Sequence, residues 1–318
     1  MAVSHLDLEG AISAYWRIKE EQAAKARAKK IAKMEKDKKA AEILGNPGAS
    51  ADAKDLAIRV AATEGDSDAV AAGADPGEET GTEGSVRGGK QFDPIVNLIA
   101  RFFRDAGYPE SCIQTASQLE LPGSYRPQKK WDLVVNWGES LVAAFELKAL
   151  GGPSYGNNFN NRAEEAVGSA TDVRRAFSKI YPKSEKPWLG YLFIMQDDED
   201  SRRPVRIAKS PILVDDAWRG KSYQGRGGIF CERLLEDELY DGVCYVTAPM
   251  GSGNFSEPST TVGWDAFSKA IAGRISALKK QGIPGPKIPG QSTRAHPRPQ
   301  AGVKPTSTAD INDGGWQQ

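Results

Sequence analysis

Two short runs of β-forming residues, Trp131–Trp137 and Leu141–Ala149, are separated only by Gly138-Glu139-Ser140. So short a Gly-containing break between branched and aromatic residues specifies a β-hairpin. If Trp137 and Leu141 close a three-residue loop, the register behind them is set. Leu133, Val135, Phe145 and Leu147 then line one face, suited to packing, because side chains alternate along a strand. Asp132, Glu146 and Lys148 share the other face. Asp132 stands opposite Glu146, with Cβ atoms about 4.5–5.5 Å apart.

Two facing carboxylates on an apolar hairpin repel and lose hydration, so proton uptake or a cation must compensate. Mg²⁺ answers this need, since it takes one or two carboxylates and fills its shell with waters and substrate phosphate. Lys148 is then free to orient or deprotonate an attacking water, or to balance charge on a phosphorane-like transition state. Asp followed by Glu-x-Lys across a hairpin is thus an arrangement for metal-assisted phosphodiester hydrolysis. An isolated Glu-x-Lys is usually an exposed ion pair worth roughly 0–1 kcal/mol. Here the flanks, AAFELKAL, argue against exposure, and burying three charges without a function is costly.

Other chemistries are short of residues. The 318-residue chain has two histidines, His5 and His296, both in segments that read as peripheral. A Ser-His-Asp triad or a His-rich zinc site needs a histidine inside the fold. Cys112, Cys231 and Cys244 lack zinc or redox spacing and read as reduced, buried thiols. Lys+Arg and Asp+Glu are both 42, so any nucleic-acid face must be local. No run approaches the roughly 18 apolar residues of a membrane span, and a soluble, cytoplasmic protein is expected.

Hydrophobic residues are only 39% of the chain, below the usual value of about 45–50%, so polar segments must flank a core. Residues 6–43 read as a basic helix, with ten Lys/Arg against four Asp/Glu between Arg17 and Lys39. Residues 45–90, rich in Ala, Gly, Asp and Glu, read as a flexible linker, and 282–318 as a Pro/Gly-rich tail. The fold is expected in 91–281. There, helical patterns at Phe92–Ala106, Asn161–Ile180, Gly228–Tyr240 and Trp264–Lys280 alternate with strands at Trp188–Met195 and Gly242–Thr247 and with the hairpin. That alternation predicts an α/β sheet with helices on both faces.

Directly after Lys148, GGPSYGNNFNNRAEEA brings Asn157, Asn158, Asn160, Asn161 and Arg162 to an expected loop leading into a helix. Asn to adenine and Arg to guanine are the usual base-edge pairings, although a turn or a cap explains any single Asn equally well. Arg126, Lys129 and Lys130 upstream are candidate phosphate contacts or solvated surface. Gly84–Lys90 has P-loop glycine spacing but ends in Gln91 where Ser/Thr is required, and Gly251-Ser252-Gly253 lacks the rest of a dinucleotide fingerprint.

WDLVV (131–135), AAFELKAL (143–150) and GPSYGNNFNNRAEEAVGSATD (152–172) resemble the XhoI-type family of type II restriction endonucleases. RGGKQFD (87–93) and AYWRIKEEQ (14–22) resemble that family's N-terminal part, so the likeness spans most of residues 10–280. The resemblance implies the PD-(D/E)xK nuclease fold, a mixed central sheet flanked by helices, although Trp131 stands where the superfamily name has proline. It implies Asp132, Glu146 and Lys148 as catalytic residues, the two carboxylates as the Mg²⁺ site, and duplex DNA containing CTCGAG as substrate. A homodimer and a cognate DNA methyltransferase in the same restriction–modification system follow as expectations. A catalytically silent DNA-binding protein and a structure-selective repair nuclease are the alternatives on the same scaffold.

Overall fold

The computed structural model describes residues 3–62, 90–115, 120–181 and 185–285. Helix α1 (His5–Gly45) opens with a reciprocal cap: Ser4 Oγ accepts from the Asp7 N–H at 3.3 Å, and Asp7 accepts from the Ser4 N–H at 2.8 Å. Leu8, Ala11, Ile12, Tyr15 and Trp16 recur at helical spacing and are buried, so its first turns belong to the core. The remainder runs out into solvent with its lysines, and α2 (Ala51–Ala62) packs back on it, with Ala40 and Ala57 buried. This corrects the expectation of linker throughout 45–90. ADAKDLAIRVAA is an Ala-rich helix former, and Ser50 Oγ accepts from the Ala53 N–H at 3.2 Å. Residues 63–89 and 286–318, the rest of the expected linker and most of the tail, lie outside the described residues.

Next come α3 (Asp93–Asp105), β1 (Ile113–Gln114), β2 (Glu120–Pro122), β3 (Gln128–Lys130), β4 (Leu133–Trp137) and β5 (Ser140–Leu150). They are followed by α4 (Tyr155–Ile180), β6 (Leu189–Gln196), α5 (Glu199–Arg202), α6 (Tyr223–Glu236), β7 (Gly242–Ala248) and α7 (Trp264–Lys280). The central sheet has the order β1-β4-β5-β6-β7, antiparallel through β5 and parallel from β5 to β7. A separate ribbon pairs β2 with β3. Parallel neighbours need crossovers, and α4 and α6 supply them on one face, as a constant crossover hand requires. The start of α1 with α3 and α7 covers the other face. This is the mixed α/β sheet with helices on both sides that the alternating pattern predicts.

The hairpin forms with a different turn and the expected inner register. Trp137 pairs with Ser140, leaving Gly138 and Glu139 as a two-residue loop, and Gly138 takes φ +61°. The register then shifts between Val135 and Asn136: Asn136 faces Leu141, and Val135 faces Ala143. Val142 is the bulged residue, buried, and its carbonyl accepts from Arg274 Nε of α7 at 3.1 Å. Beyond the bulge Leu133 faces Phe145, the pairing read from the sequence. Two helices begin earlier than their patterns suggest. α4 starts at Tyr155 rather than Asn161, and α6 starts at Tyr223, where Ser222 Oγ accepts from the Gly225 N–H at 3.1 Å. α6 also ends at Glu236, short of Tyr240, and Glu238 beyond it adopts φ +52°.

The three cysteines are buried free thiols, as expected. His5 sits half-exposed at the start of α1, and His296 lies outside the described residues. No helix among the described residues is long and apolar enough to cross a membrane.

Candidate active site

Asp132 lies at the entry to β4, where its N–H donates to the Phe145 carbonyl at 3.1 Å and extends the ladder one residue past the strand. Its carboxylate accepts from the Leu147 N–H at 2.7 Å. Glu146 projects from β5 on the same face and is only 4% exposed. Two ammonium groups close on it. Lys148 Nζ stands 2.9 Å from Oε1, and Lys129 of β3 pairs with Oε2. Lys148 also reaches α4, where its Nζ is 3.5 Å from Glu165 Oε2, and that oxygen accepts from Arg162 Nη1 at 2.6 Å. A row of alternating charge results, Lys129–Glu146–Lys148–Glu165–Arg162, with Asp132 beside Glu146.

Burial raises the Asp132 carboxyl and the Glu146 charge adds to it, so its pKa is pushed up to about 6. Burial acts upward on Glu146 too, but the Lys129 and Lys148 ammonium groups outweigh it and hold the acid at about 2. For Lys148, burial disfavours the ammonium, and the carboxylates of Glu146 and Glu165 overcome that penalty and raise its pKa above the usual lysine value. Lys148 is therefore a cation at neutral pH. In that state it can orient water and balance negative charge.

No group of three or more His, Cys, Asp or Glu among the described residues is placed to hold a metal ion. The donor set is the carboxylate pair Asp132 and Glu146. It fits Mg²⁺, which accepts two carboxylates and leaves the rest of its shell to water and substrate oxygens. The raised Asp132 carboxyl marks a place where negative charge is short of a partner.

The remaining sequence candidates fall at different distances from this centre. Lys129, expected as a phosphate contact, is 16% exposed and engaged with Glu146. Lys130, next along the strand, is exposed, and its carbonyl accepts from Lys129 Nζ at 3.0 Å. Arg126 Nε donates to Asp172 at 2.8 Å, and Asp172 also accepts from the Ser124 and Tyr125 N–H groups, so Arg126 ties this loop to α4. Asn157, Asn160 and Asn161 lie on α4 itself, not in a loop before it, and Ser154 rather than Asn161 holds the cap position. Their i, i+3, i+4 spacing puts all three on one side of the first two turns, with Asn157 and Asn160 exposed. Arg162, expected to form or flank the base-reading surface, has a side chain that is 11% exposed and engages Glu165. Glu165 itself had no role from the sequence. Its contact with Lys148 becomes visible only when α4 packs over β5.

A mixed sheet flanked by helices, with an Asp at one strand entry and Glu-x-Lys on its hairpin partner, defines a restriction-endonuclease-like fold. The chain belongs to the restriction endonuclease XhoI family, whose sequence model matches residues 72–260. The type II restriction enzyme BstVI of Geobacillus stearothermophilus is 37% identical over 183 residues, 56% of this chain and 82% of that enzyme. The type II restriction enzyme XhoI of Xanthomonas vasicola is 41% identical over 158 residues, 49% of this chain and 64% of that enzyme. AbrI of Azospirillum brasilense, also a type II restriction enzyme, is 40% identical over 116 residues, 36% of this chain and 52% of that enzyme. No solved structure matches the chain.

Proposed function

We propose that this chain is a Mg²⁺-dependent, site-specific endonuclease of a restriction–modification system, hydrolysing one phosphodiester in each strand of a palindromic duplex site, CTCGAG by its family relation. The carrying observation is the pair Asp132 and Glu146 on one face of the hairpin, with Lys148 two residues along. These two carboxylates would hold the ion, which when bound supplies charge neutralisation at the phosphate and a more acidic water. Lys148, held protonated by Glu146 and Glu165, orients the attacking water and donates to phosphate oxygen as negative charge builds there. The water oxygen forms the new P–O bond and gives up a proton to solvent, while the P–O bond to the departing sugar oxygen breaks and that oxygen takes up a proton from solvent to leave as a hydroxyl. Arg162 holds Glu165 and so fixes Lys148 from the α4 side.

Asn157, Asn160 and Asn161 form the surface we assign to base readout, since an amide is the side chain that matches the adenine edge bidentately. A palindrome has two-fold symmetry, so two subunits related by that axis would each supply one hairpin site per strand. Sedimentation on a single-site duplex should then show two subunits, and one subunit per site during double-strand cleavage would refute this assembly. A cytoplasmic location and a methyltransferase protecting host DNA complete the proposal.

The test is plasmid DNA with and without one CTCGAG, incubated with the full chain and Mg²⁺, followed by sequencing of the ends. Linear product with 5′ overhangs from the first plasmid alone supports the reading. DNA that is bound but uncut points to a silent DNA-binding protein, and cutting confined to branched DNA points to a repair nuclease. Either result overturns it.

A further inference from the structure

We propose that Lys129 is the internal counter-cation of the metal-free site, and that it is handed from Glu146 to a DNA phosphate when a divalent ion enters. The proposal rests on the metal-dependent reading above and assigns the residue that would couple metal entry to DNA binding.

Glu146 is almost fully buried, and a buried carboxylate persists as an anion only if cations or hydrogen bonds meet its oxygens. Each oxygen is met by a different lysine: Oε1 by Lys148 and Oε2 by Lys129. The two lysines are held unequally. Lys148 is braced on its far side by Glu165, which Arg162 holds in turn. Lys129 comes from the short β2–β3 ribbon outside the central sheet, and Glu146 is the carboxylate it pairs with among the described residues. Its ammonium lies 4.7 Å from the centre of the Trp131 ring and donates to the Lys130 carbonyl at 3.0 Å.

A divalent ion held by Asp132 and Glu146 would compete with the two ammonium groups for the Glu146 oxygens. It would also put a second cation within a few ångströms of the ammonium, and like charges that close in a protein interior repel strongly. One must move. Lys148 is held between two acids, so Lys129 is the group that yields, and its flexible four-carbon stem allows the ammonium to swing without backbone motion. The scissile phosphate brought to the metal site places anionic oxygens within reach of that swing. In this exchange the phosphate releases Glu146 for the metal, and the metal releases Lys129 for the phosphate. Each ligand therefore tightens the other, by the same factor in both directions.

The test is isothermal titration of the full chain with Ca²⁺, used as a metal probe without turnover, in the presence and absence of an uncut cognate duplex. Wild type is compared with Lys129→Met and Lys129→Gln, which keep a long side chain over Trp131, with Lys129→Arg, which keeps the charge, and with Asp132→Ala. Lys129→Met and Lys129→Gln should bind Ca²⁺ about tenfold more tightly than wild type without DNA. They should also lose most of the gain in Ca²⁺ affinity that the duplex gives wild type, while Lys129→Arg keeps it. A purely structural role predicts the opposite sign, because damage to the site weakens metal binding. Asp132-dependent Ca²⁺ binding that is unchanged or weaker in the Met and Gln variants overturns the proposal and leaves the metal site standing. Ca²⁺ binding indifferent to Asp132 in every protein, with and without duplex, overturns the metal reading and the proposal together.

Discussion

Asp132→Asn should stabilise the metal-free protein in a pH-dependent way, and the structure sets both the window and the size. The Asp132 carboxyl rises from an ordinary 3.8 to about 6 on folding, chiefly by burial and secondarily by the facing Glu146. Its folded pKa lies above the unfolded value, so between those limits the folded chain holds a proton that the unfolded chain has released. Raising the pH through that window therefore favours unfolding, at about 1.4 kcal/mol per pH unit. The loss totals about 3 kcal/mol by pH 7 and is absent below both values. Asparagine cannot titrate, yet its amide oxygen still accepts the Leu147 N–H that now binds Asp132 Oδ2. Glu146 moves the other way: its depressed pKa gives stability as pH rises from about 2 to 4.5. That gain lies at the acid edge of the window and is present in both proteins. Urea unfolding in EDTA, followed by tryptophan fluorescence at half-unit steps from pH 4 to 8, reads the difference between variant and wild type. The Asn variant should gain on wild type up to about pH 6 and then hold level, while any fixed cost of the amide drops out of the comparison. A difference that is flat or falling with pH would refute the claim that Asp132 is a desolvated, under-compensated acid.

Lys148→Ala should keep DNA binding in Ca²⁺ and lose cleavage by about 10²-fold or more, because its loss falls on developing charge. Exposed Glu139 at the hairpin tip is the matched control and should cut normally as Ala; equal damage at both positions would misplace the site. Alanine at Asn157, Asn160 or Asn161 should each cost about 1–3 kcal/mol on the cognate duplex and relax preference at one base pair, measured against singly substituted duplexes in Ca²⁺. Unchanged preference in all three would move readout off this face of α4. Gly190→Ala should destabilise the fold by about 1–3 kcal/mol in urea, since its Cβ would lie 2.3 Å from the Phe145 ring on the neighbouring strand; an unchanged midpoint would mean that the ring yields freely.

The hairpin shows what a sequence can specify and what it leaves open. A three-residue loop implies Trp137 and Leu141 as the closing pair, where the structure pairs Trp137 with Ser140, yet it implies the observed partners of Leu133 and Val135. The bulge at Val142 absorbs one residue, and the register beyond it is fixed by Leu133, Val135, Phe145 and Leu147, which must all face the core under α3 and α7. A one-residue slip would bury the charges on that side, so the apolar pattern constrains the inner register more tightly than the turn does. The bulge itself is not legible in the sequence, since the group that meets the Val142 carbonyl there, Arg274, lies more than a hundred residues away.

The start of α4 misled for a related reason. Gly, Pro, Ser and clustered Asn favour turns locally, yet Tyr155 stacks on Tyr223 and Phe159 meets Phe230 edge-on, and that packing pulls the Asn-rich stretch into the helix. The consequence reaches the chemistry. As a loop the segment offered scattered amides; as two helical turns it aligns Asn157, Asn160 and Asn161 on one side while bringing Glu165 to Lys148. The sequence could place Asp132, Glu146 and Lys148 because one hairpin carries them. It could not place Lys129 and Glu165, because each comes from a separate element whose position is set by packing against that hairpin. The charges that tune Glu146 and Lys148 therefore belong to the tertiary fold, and variants that loosen α4 or the β2–β3 ribbon should change the site's protonation without touching either residue.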